Sequence, residues 1–214
     1  AFGGERVVQV AAGNGYRLAL TESGKVWAWG NNSYGQLGDG TSTDRGNTPV
    51  RVRGVMGSSH ERYQLDGVVR VAAGGYTSAA LRVDGTVVVW GNNTNGQVGY
   101  GQVSGQAYNH KLAPMQARSG VSTAKDLTYD VYLRGAVDLA VSAQSTIALL
   151  RDRNLYGWGG NGNGQLAIGT TDGSSLPIAM GQPWTANGKV TGNEAYAVEF
   201  TATRATRFLN TALK

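Results

Sequence analysis

Histidine, carboxylate and hydroxyl side chains are the groups that could do chemistry in this chain, which has no cysteine. A nucleophile relay would need Ser59, His60 and Glu61, but neighbouring residues point in different directions. A zinc site would need His60 and His110, which are 50 residues apart and have no cysteine to help them. We therefore expect no catalytic residue, no metal ligand and no cofactor.

Three loop motifs match ligand sites only in part. Residues 157–162 have the glycine spacing of a dinucleotide loop, which needs a strand before it and a helix after it. Residues 39–44 and 171–175 alternate possible oxygen ligands for calcium, but neither continues to the bidentate glutamate of an EF-hand loop. The pattern favours polar turns of the fold at all three positions.

Two long connectors carry arginine and tyrosine, the residue types that are enriched where proteins touch. The first runs from Arg51 to Gly67 and the second from Pro114 to Gly135. They occupy equivalent points in successive units of a repeat, so we expect both to emerge on the same face. A tolerated surface insertion is the alternative interpretation. The candidate partner-binding residues are Arg53, His60, Arg62, Tyr63, Tyr129, Tyr132 and Arg134.

The same sequence unit occurs three times along the chain. Trp90 follows Trp29 by 61 residues, and Trp158 follows Trp90 by 68. The starts of the three units keep the same two offsets, so only the connectors vary in length. Self-similarity at periods of this size predicts a repeat architecture, with the three tryptophans packed between neighbouring units. The units start at Val10, Val71 and Leu139.

Each unit alternates residue character with a period of two, as residues 16–20 illustrate, which predicts strands. A tight turn follows, at Gly24 and Gly85 in the first two units and at Asn154 in the third, because these residues tolerate a positive φ. No long window has helical periodicity. We predict an all-β chain with about four antiparallel strands in each unit.

The motifs resemble the repeat of the regulator of chromosome condensation family, whose blades carry Ala-Gly, Leu-x-x-x-Gly, Trp-Gly-x-Asn and Gly-Gln-Leu-Gly in this order. In the first unit these are residues 12–13, 20–24, 29–32 and 35–38. The resemblance covers roughly residues 6–180 and implies a β-propeller, seven-bladed in most members. The third unit departs from the pattern at its Ala-Gly step and at Ala167.

We predict one repeat domain over residues 1–214. Its units span about residues 6–67, 68–135 and 136–188, followed by a degenerate terminal unit over about 189–214. Three units and a fraction cannot close a seven-bladed ring. We therefore expect an incomplete or assembled propeller: a piece of a longer chain, a ring or stack of several chains, or an open arc with modified ends.

The net charge and the charged fraction of the chain argue against some classes of function. The net charge is +5, but the basic residues are scattered, whereas a nucleic-acid footprint would more often be concentrated, so nucleic acid is an unlikely partner. Charged residues make up 15% of the chain, well below the average share. That polar, lightly charged surface favours an extracellular or cell-surface location, in a bacterium. The apolar runs are too short for a membrane span.

A fold does not fix a function. We expect a non-enzymatic protein-interaction or structural module, part of a bacterial extracellular or surface assembly such as an adhesin or a fibre. One alternative is a regulator or guanine-nucleotide-exchange-type propeller, whose contact residues map onto no position here. The other is a secreted propeller that inhibits an enzyme.

The partners expected are other protein chains, including further copies of this one. Residues 6–10 and 195–208 contain β-branched and apolar runs with few prolines or lysines. Strand edges of this kind pair readily with another strand. The sequence therefore predicts self-assembly through the terminal strands.

Overall fold

The computed structural model describes residues 2–56, 64–101, 110–119 and 132–181. A short 3-10 segment, Phe2–Gly4, precedes the strands. The strands are β1 (Val7–Ala12), β2 (Tyr16–Thr21), β3 (Val26–Gly30), β4 (Gly46–Arg51), β5 (Val68–Gly74), β6 (Thr77–Arg82), β7 (Val87–Gly91), β8 (Lys111–Gln116), β9 (Ala136–Val141), β10 (Ser145–Leu150), β11 (Leu155–Gly159) and β12 (Ser174–Ala179).

The strands form three antiparallel four-stranded sheets, here called blades 1, 2 and 3. Their strand orders are β1-β2-β3-β4, β5-β6-β7-β8 and β9-β10-β11-β12. The described ranges contain no α-helix. The all-β prediction, with propeller-type blades of four strands, is therefore confirmed.

Tight turns join the second and third strands of each blade. Gly24 and Gly85 have φ values of 81° and 77°, as predicted. In blade 3 the prediction is wrong by one residue, because the positive φ of 70° is at Arg153. Asn154 instead donates its backbone N–H (3.0 Å) and its side-chain amide (2.9 Å) to the carboxylate of Asp152.

The hydrophobic core lies between the blades, since each sheet buries both faces only where a neighbour covers it. One cluster joins Leu18, Leu20 and Leu37 of blade 1 to Val71 and Trp90 of blade 2. A second cluster joins blade 2 to blade 3 in the same manner. At about 25 cal/mol per Å² of apolar surface, this packing of one blade on the next is the main stabilising contribution.

Tryptophan fixes the distance between blades. Trp90 and Trp158 are fully buried, and their Nε1 atoms donate to the backbone carbonyl oxygens of Gln36 (2.8 Å) and Gln97 (2.9 Å) in the preceding blade. The predicted packing between units is confirmed for these two residues. Trp29 occupies the equivalent register position in blade 1, where the described residues include no preceding blade.

The outermost strand of each blade has proline as its fourth residue, namely Pro49, Pro114 and Pro177. Proline has no N–H to donate and is confined to edge strands and irregular positions of a sheet. It therefore marks the outer edge of every blade and discourages pairing there.

The ends of the chain are only partly described. The predicted edge strand near the start is present as β1, at one side of blade 1. The degenerate unit over 189–214, including residues 195–208, lies outside the described residues, so self-assembly through terminal strands stays a prediction. No helix in the described part of the chain has the length and apolar character needed to cross a membrane.

Candidate functional site

The polar side chains of the Trp-Gly-x-Asn loops form hydrogen bonds within the loops. The side-chain oxygens of Asn32, Asn93 and Asn161 accept the backbone N–H five residues later, at 2.9, 3.0 and 2.7 Å. Asn32 and Asn161 also donate to backbone carbonyls nine and eleven residues later. These asparagines are buried, so the motif serves the loop and not a ligand.

The calcium-like motif at residues 39–44 has protein donors on its oxygens. The Asp39 carboxylate accepts hydrogen bonds from the Thr41 hydroxyl (2.7 Å) and from Arg45 Nε (2.7 Å). Burial opposes ionisation of Asp39, but these bonds and the charge of Arg45 lower its pKa. Asp44 accepts the N–H of Asn32 at 2.6 Å. The loop is an internally bonded turn, as the sequence favours.

The dinucleotide-like motif at residues 157–162 begins in strand β11 and continues into turns that lead to strand β12. No helix follows it in this described stretch, so the free N–H groups of a helix N-terminus are missing at this loop. The other candidates for catalysis, Ser59, His60 and Glu61, lie outside the described residues.

The two long connectors are pinned at equivalent bases. Arg53 pairs with Gln64 and Arg118 pairs with Tyr132, each through an isolated antiparallel bridge. A backbone hydrogen bond of 2.9 Å closes each base, from Leu65 to Val52 and from Leu133 to Ala117. Both bases follow the outermost strand of a blade, so the two connectors begin and end at equivalent positions of blades 1 and 2.

A first cavity of about 280 Å³ lies beside the base of the first connector. Its lining includes Gly40, Arg53, Met56 and His110. The Arg53 guanidinium lies against Gly40, where an added Cβ would be 2.5 Å from its Nη1. The glycine therefore leaves the space in which Arg53 rests. Backbone bonds from Gly40 to Leu112 (2.9 Å) and from Met56 to Pro114 (2.8 Å) attach blade 1 to strand β8.

A second cavity of about 250 Å³ lies between the two connector bases. It is lined by Val55, Met56, Tyr100, Met115, Gln116, Arg118 and Tyr132. Met56 borders both cavities, so the two follow one another along strand β8. We call this surface, from Arg53 and His110 at one end to Arg118 and Tyr132 at the other, the rim groove.

The rim groove is basic with an apolar floor. Arg53 and Arg118 are exposed, and Lys111 Nζ lies 4.5 Å from the centroid of the Tyr100 ring. Burial lowers the pKa of His110, whose ring meets Tyr34 edge-on at 4.7 Å, so the imidazole is mostly neutral at pH 7. None of the described residues that line the groove is acidic.

Two of the seven predicted partner-binding residues, Arg53 and Tyr132, line the rim groove at its opposite ends. Arg134 is placed elsewhere, near the β6–β7 turn, where its charge helps to lower the pKa of Asp84. The remaining predicted residues, His60, Arg62, Tyr63 and Tyr129, lie outside the described residues.

Sequence reasoning missed Met56, Arg118 and Met115, and it considered His110 only as a possible zinc ligand. A signal for Arg118 exists, because it stands four residues after Pro114, as Arg53 stands four residues after Pro49. Aligning the blades on these prolines matches the two connector bases directly.

Comparisons with known proteins agree with the architecture. Models of the "Regulator of chromosome condensation (RCC1) repeat" match residues 23–81 and, separately, residues 7–36, 68–97 and 136–165. The chain is 31% identical over 179 residues to the E3 ubiquitin-protein ligase HERC2 of Homo sapiens, covering 83% of this chain and 3% of that protein. It is 31% identical over 183 residues to the Ultraviolet-B receptor UVR8 of Arabidopsis thaliana, covering 86% of this chain and 36% of that protein.

The solved structure of human WBSCR16 superposes with a TM-score of 0.62 and 25% identity, covering 85% of this chain and 41% of that one. The chain thus spans well under half of each of these proteins. The repeated motifs, the four-stranded blades and the matching repeat models all agree, and the chain belongs to the regulator of chromosome condensation (RCC1) repeat family.

Proposed function

We propose that this chain is a non-enzymatic protein-interaction module and that the rim groove binds an acidic, partly apolar segment of a partner protein. The observation that carries this proposal is that Arg53 lines one end of the rim groove and that Arg118 and Tyr132 line the other end. Arginine and tyrosine are the residue types most often found at the energetic centre of interfaces.

The chemistry of the groove favours a peptide over a small molecule. Each cavity is slightly smaller than a typical small-molecule site, and both are open at the rim. Arg53 and Arg118 can each bind a carboxylate through two parallel hydrogen bonds. Met56 and Met115, between them, give flexible apolar contacts that adapt to different side chains. A short segment with carboxylates at both ends and an apolar centre fits this order.

The groove lacks the pairing that acid–base catalysis uses. His110 is its one imidazole among the described residues, and no described carboxylate lines the groove to orient that ring. The related ubiquitin-protein ligase and the related receptor are much longer proteins, of which this chain covers 3% and 36%.

The cellular location and the self-assembly of the protein are proposals separate from the binding of a partner in the rim groove. An extracellular or cell-surface role in a bacterium is supported only by the low charged fraction of 15%. Secretion of the tagged full-length gene product into the medium or to the cell surface would support it, and retention in the cytoplasm would reject it. A regulator or enzyme-inhibitor role would use the same rim groove with a different partner.

Selection from a random peptide display library on the whole chain tests the groove. We expect the selected peptides to combine Asp or Glu with large apolar residues and to bind more weakly as salt rises. The double variant Arg53→Glu and Arg118→Glu should reduce their binding at least about tenfold, through charge reversal at both ends. Arg151→Glu, an exposed arginine in the β10–β11 turn, is the matched control. Equal binding to the double variant and to the control would reject the groove.

A further inference from the structure

The two ends of the rim groove differ in the number of side chains that can hold an anion. The first cavity is lined by three side chains with nitrogen groups, Arg53, His110 and Lys111. The second cavity has one basic side chain, Arg118, and its other described lining residues are neutral. The first end of the groove can therefore receive a group of higher negative charge than a single carboxylate.

The guanidinium of Arg53 has no acidic partner within the described residues. Other described arginines form ion pairs with Asp or Glu side chains, namely Arg6, Arg45, Arg51, Arg70 and Arg82. The acid that is nearest to the cavity in sequence, Asp39, is already bonded to Thr41 and Arg45. The positive charge of Arg53 is thus not neutralised by the part of the chain that the structure describes.

The backbone around the first cavity holds Arg53 in one place. A Cβ added to Gly40 would be 2.5 Å from Nη1 and 2.8 Å from Cδ of Arg53, so the arginine side chain lies directly on this glycine. The backbone N–H of Gly40 donates to Leu112 at 2.9 Å, and the backbone N–H of Arg53 donates to Gly38 at 2.8 Å. Because the planar guanidinium is positioned before a ligand arrives, binding costs less side-chain entropy.

The imidazole of His110 can add a further charge when a ligand is bound. Within the described residues its buried Nδ1 has no hydrogen-bond partner, and its ring contacts Tyr34. Arg53 and Lys111 are the charged groups that line the same cavity. Burial lowers the pKa of His110, whereas a doubly negative group beside the ring favours the imidazolium. The gain is larger for a dianion than for a single carboxylate.

We propose that the first cavity of the rim groove binds a phosphorylated serine or threonine side chain of the partner segment, while Arg118 binds a carboxylate at the other end. This inference rests on the proposed function, because it specifies which acidic group lies at which end. A phosphomonoester carries a charge of about −1.5 to −2 at pH 7 and has three acceptor oxygens. The fork of Arg53 can hold two of these oxygens, and the flexible ammonium of Lys111 supplies a second positive charge.

Titration calorimetry on the whole chain tests this inference, starting from a peptide selected on the groove. Each acidic residue of the peptide is replaced in turn by phosphoserine, glutamate or serine. At one position we expect phosphoserine to bind at least about tenfold more tightly than glutamate, and serine to bind most weakly. Inorganic phosphate should compete with that phosphopeptide more strongly than sodium chloride does at the same ionic strength.

Matched variants assign the phosphate to one end of the groove. Arg53→Lys keeps the charge but removes the fork, so it should reduce the preference for phosphoserine over glutamate to less than about threefold. Arg118→Lys is the control and should weaken both peptides alike. Gly40→Ala displaces the guanidinium and should act like Arg53→Lys. Its own control is Gly46→Ala, because Gly46 has a φ of 52° and no heavy atom within 4 Å of an added Cβ.

Circular dichroism establishes that each variant is folded, and the two lysine variants decide the test if Gly40→Ala unfolds. Equal binding of the phosphoserine and glutamate peptides at every position would overturn the inference and leave the proposed function intact. A preference for phosphoserine that is lost in Arg118→Lys and kept in Arg53→Lys would also overturn it. Failure of every acidic peptide to bind, phosphorylated or not, would reject the proposed function as well.

Discussion

The blade junctions and the rim groove both repeat residues from blade to blade, but the residues of the junctions are buried and the arginines of the groove are exposed. In the junctions, Trp90 and Trp158 repeat the same burial and the same bond to a glutamine carbonyl. In the groove, Arg53 and Arg118 occupy equivalent positions after the outermost strands of two blades, but both are exposed, and the lengths of the connectors differ between units. The buried periodic residues therefore stabilise the fold, and the exposed residues at the connector bases are free to recognise a partner.

The largest expected loss of stability comes from removing the tryptophan side chain of a blade junction. Trp90→Ala removes a fully buried indole and leaves a cavity between blades 1 and 2, so we expect it to cost about 4 kcal/mol of unfolding free energy. Trp29→Ala is the matched control, because its side chain is partly exposed and the described residues include no blade before blade 1. Urea denaturation of both variants measures the difference. Similar losses for the two would contradict the distinction between covered and uncovered faces.

A smaller loss of stability is expected when a side-chain atom is added to a junction instead of removed from it. Gly99→Ala places a Cβ about 2.5 Å from Trp158 Nε1 at a φ of 79°. Overpacking and the left-handed backbone together should cost about 3 kcal/mol. Gly162→Ala is the control, since no heavy atom lies within 4 Å of its added Cβ, and it should change stability by less than about 0.5 kcal/mol. A tolerated Gly99→Ala would contradict the close approach of Gly99 to the indole of Trp158.

The sequence predicts the periodic part of this molecule well because period and packing have the same cause. Every junction needs a strand of alternating character, a turn with positive φ and a tryptophan at fixed spacing, so all three appear as repeated letters. The turn in blade 3 shows the limit, because either Arg153 or Asn154 fits the pattern until the Asp152 hydrogen bonds select one.

The groove was only half predictable, for a physical reason. Arg53 and Tyr132 follow from composition and connector position, since tyrosine and arginine in variable loops suggest contact. Met56 and His110 come from segments that are distant in sequence and meet only when blade 1 packs on strand β8. Only the packed blades show which residues face a common space.

The smallest expected effect is a pH dependence of the free energy of unfolding that arises from His110 in the groove and not from the junctions. The lowered pKa of His110 means that the unfolded chain binds a proton more readily, so stability falls as the pH drops from about 7 to about 5. Asp39 and Asp84 also have lowered pKa values, but their contribution is lost only at more acidic pH, below their ordinary value of 3.8. Because the imidazole is partly exposed, we expect less than about 1 kcal/mol. His110→Gln should flatten this slope between about pH 7 and about pH 5, measured by urea denaturation. An unchanged slope in His110→Gln would mean that the buried side of the groove does not hold the imidazole neutral.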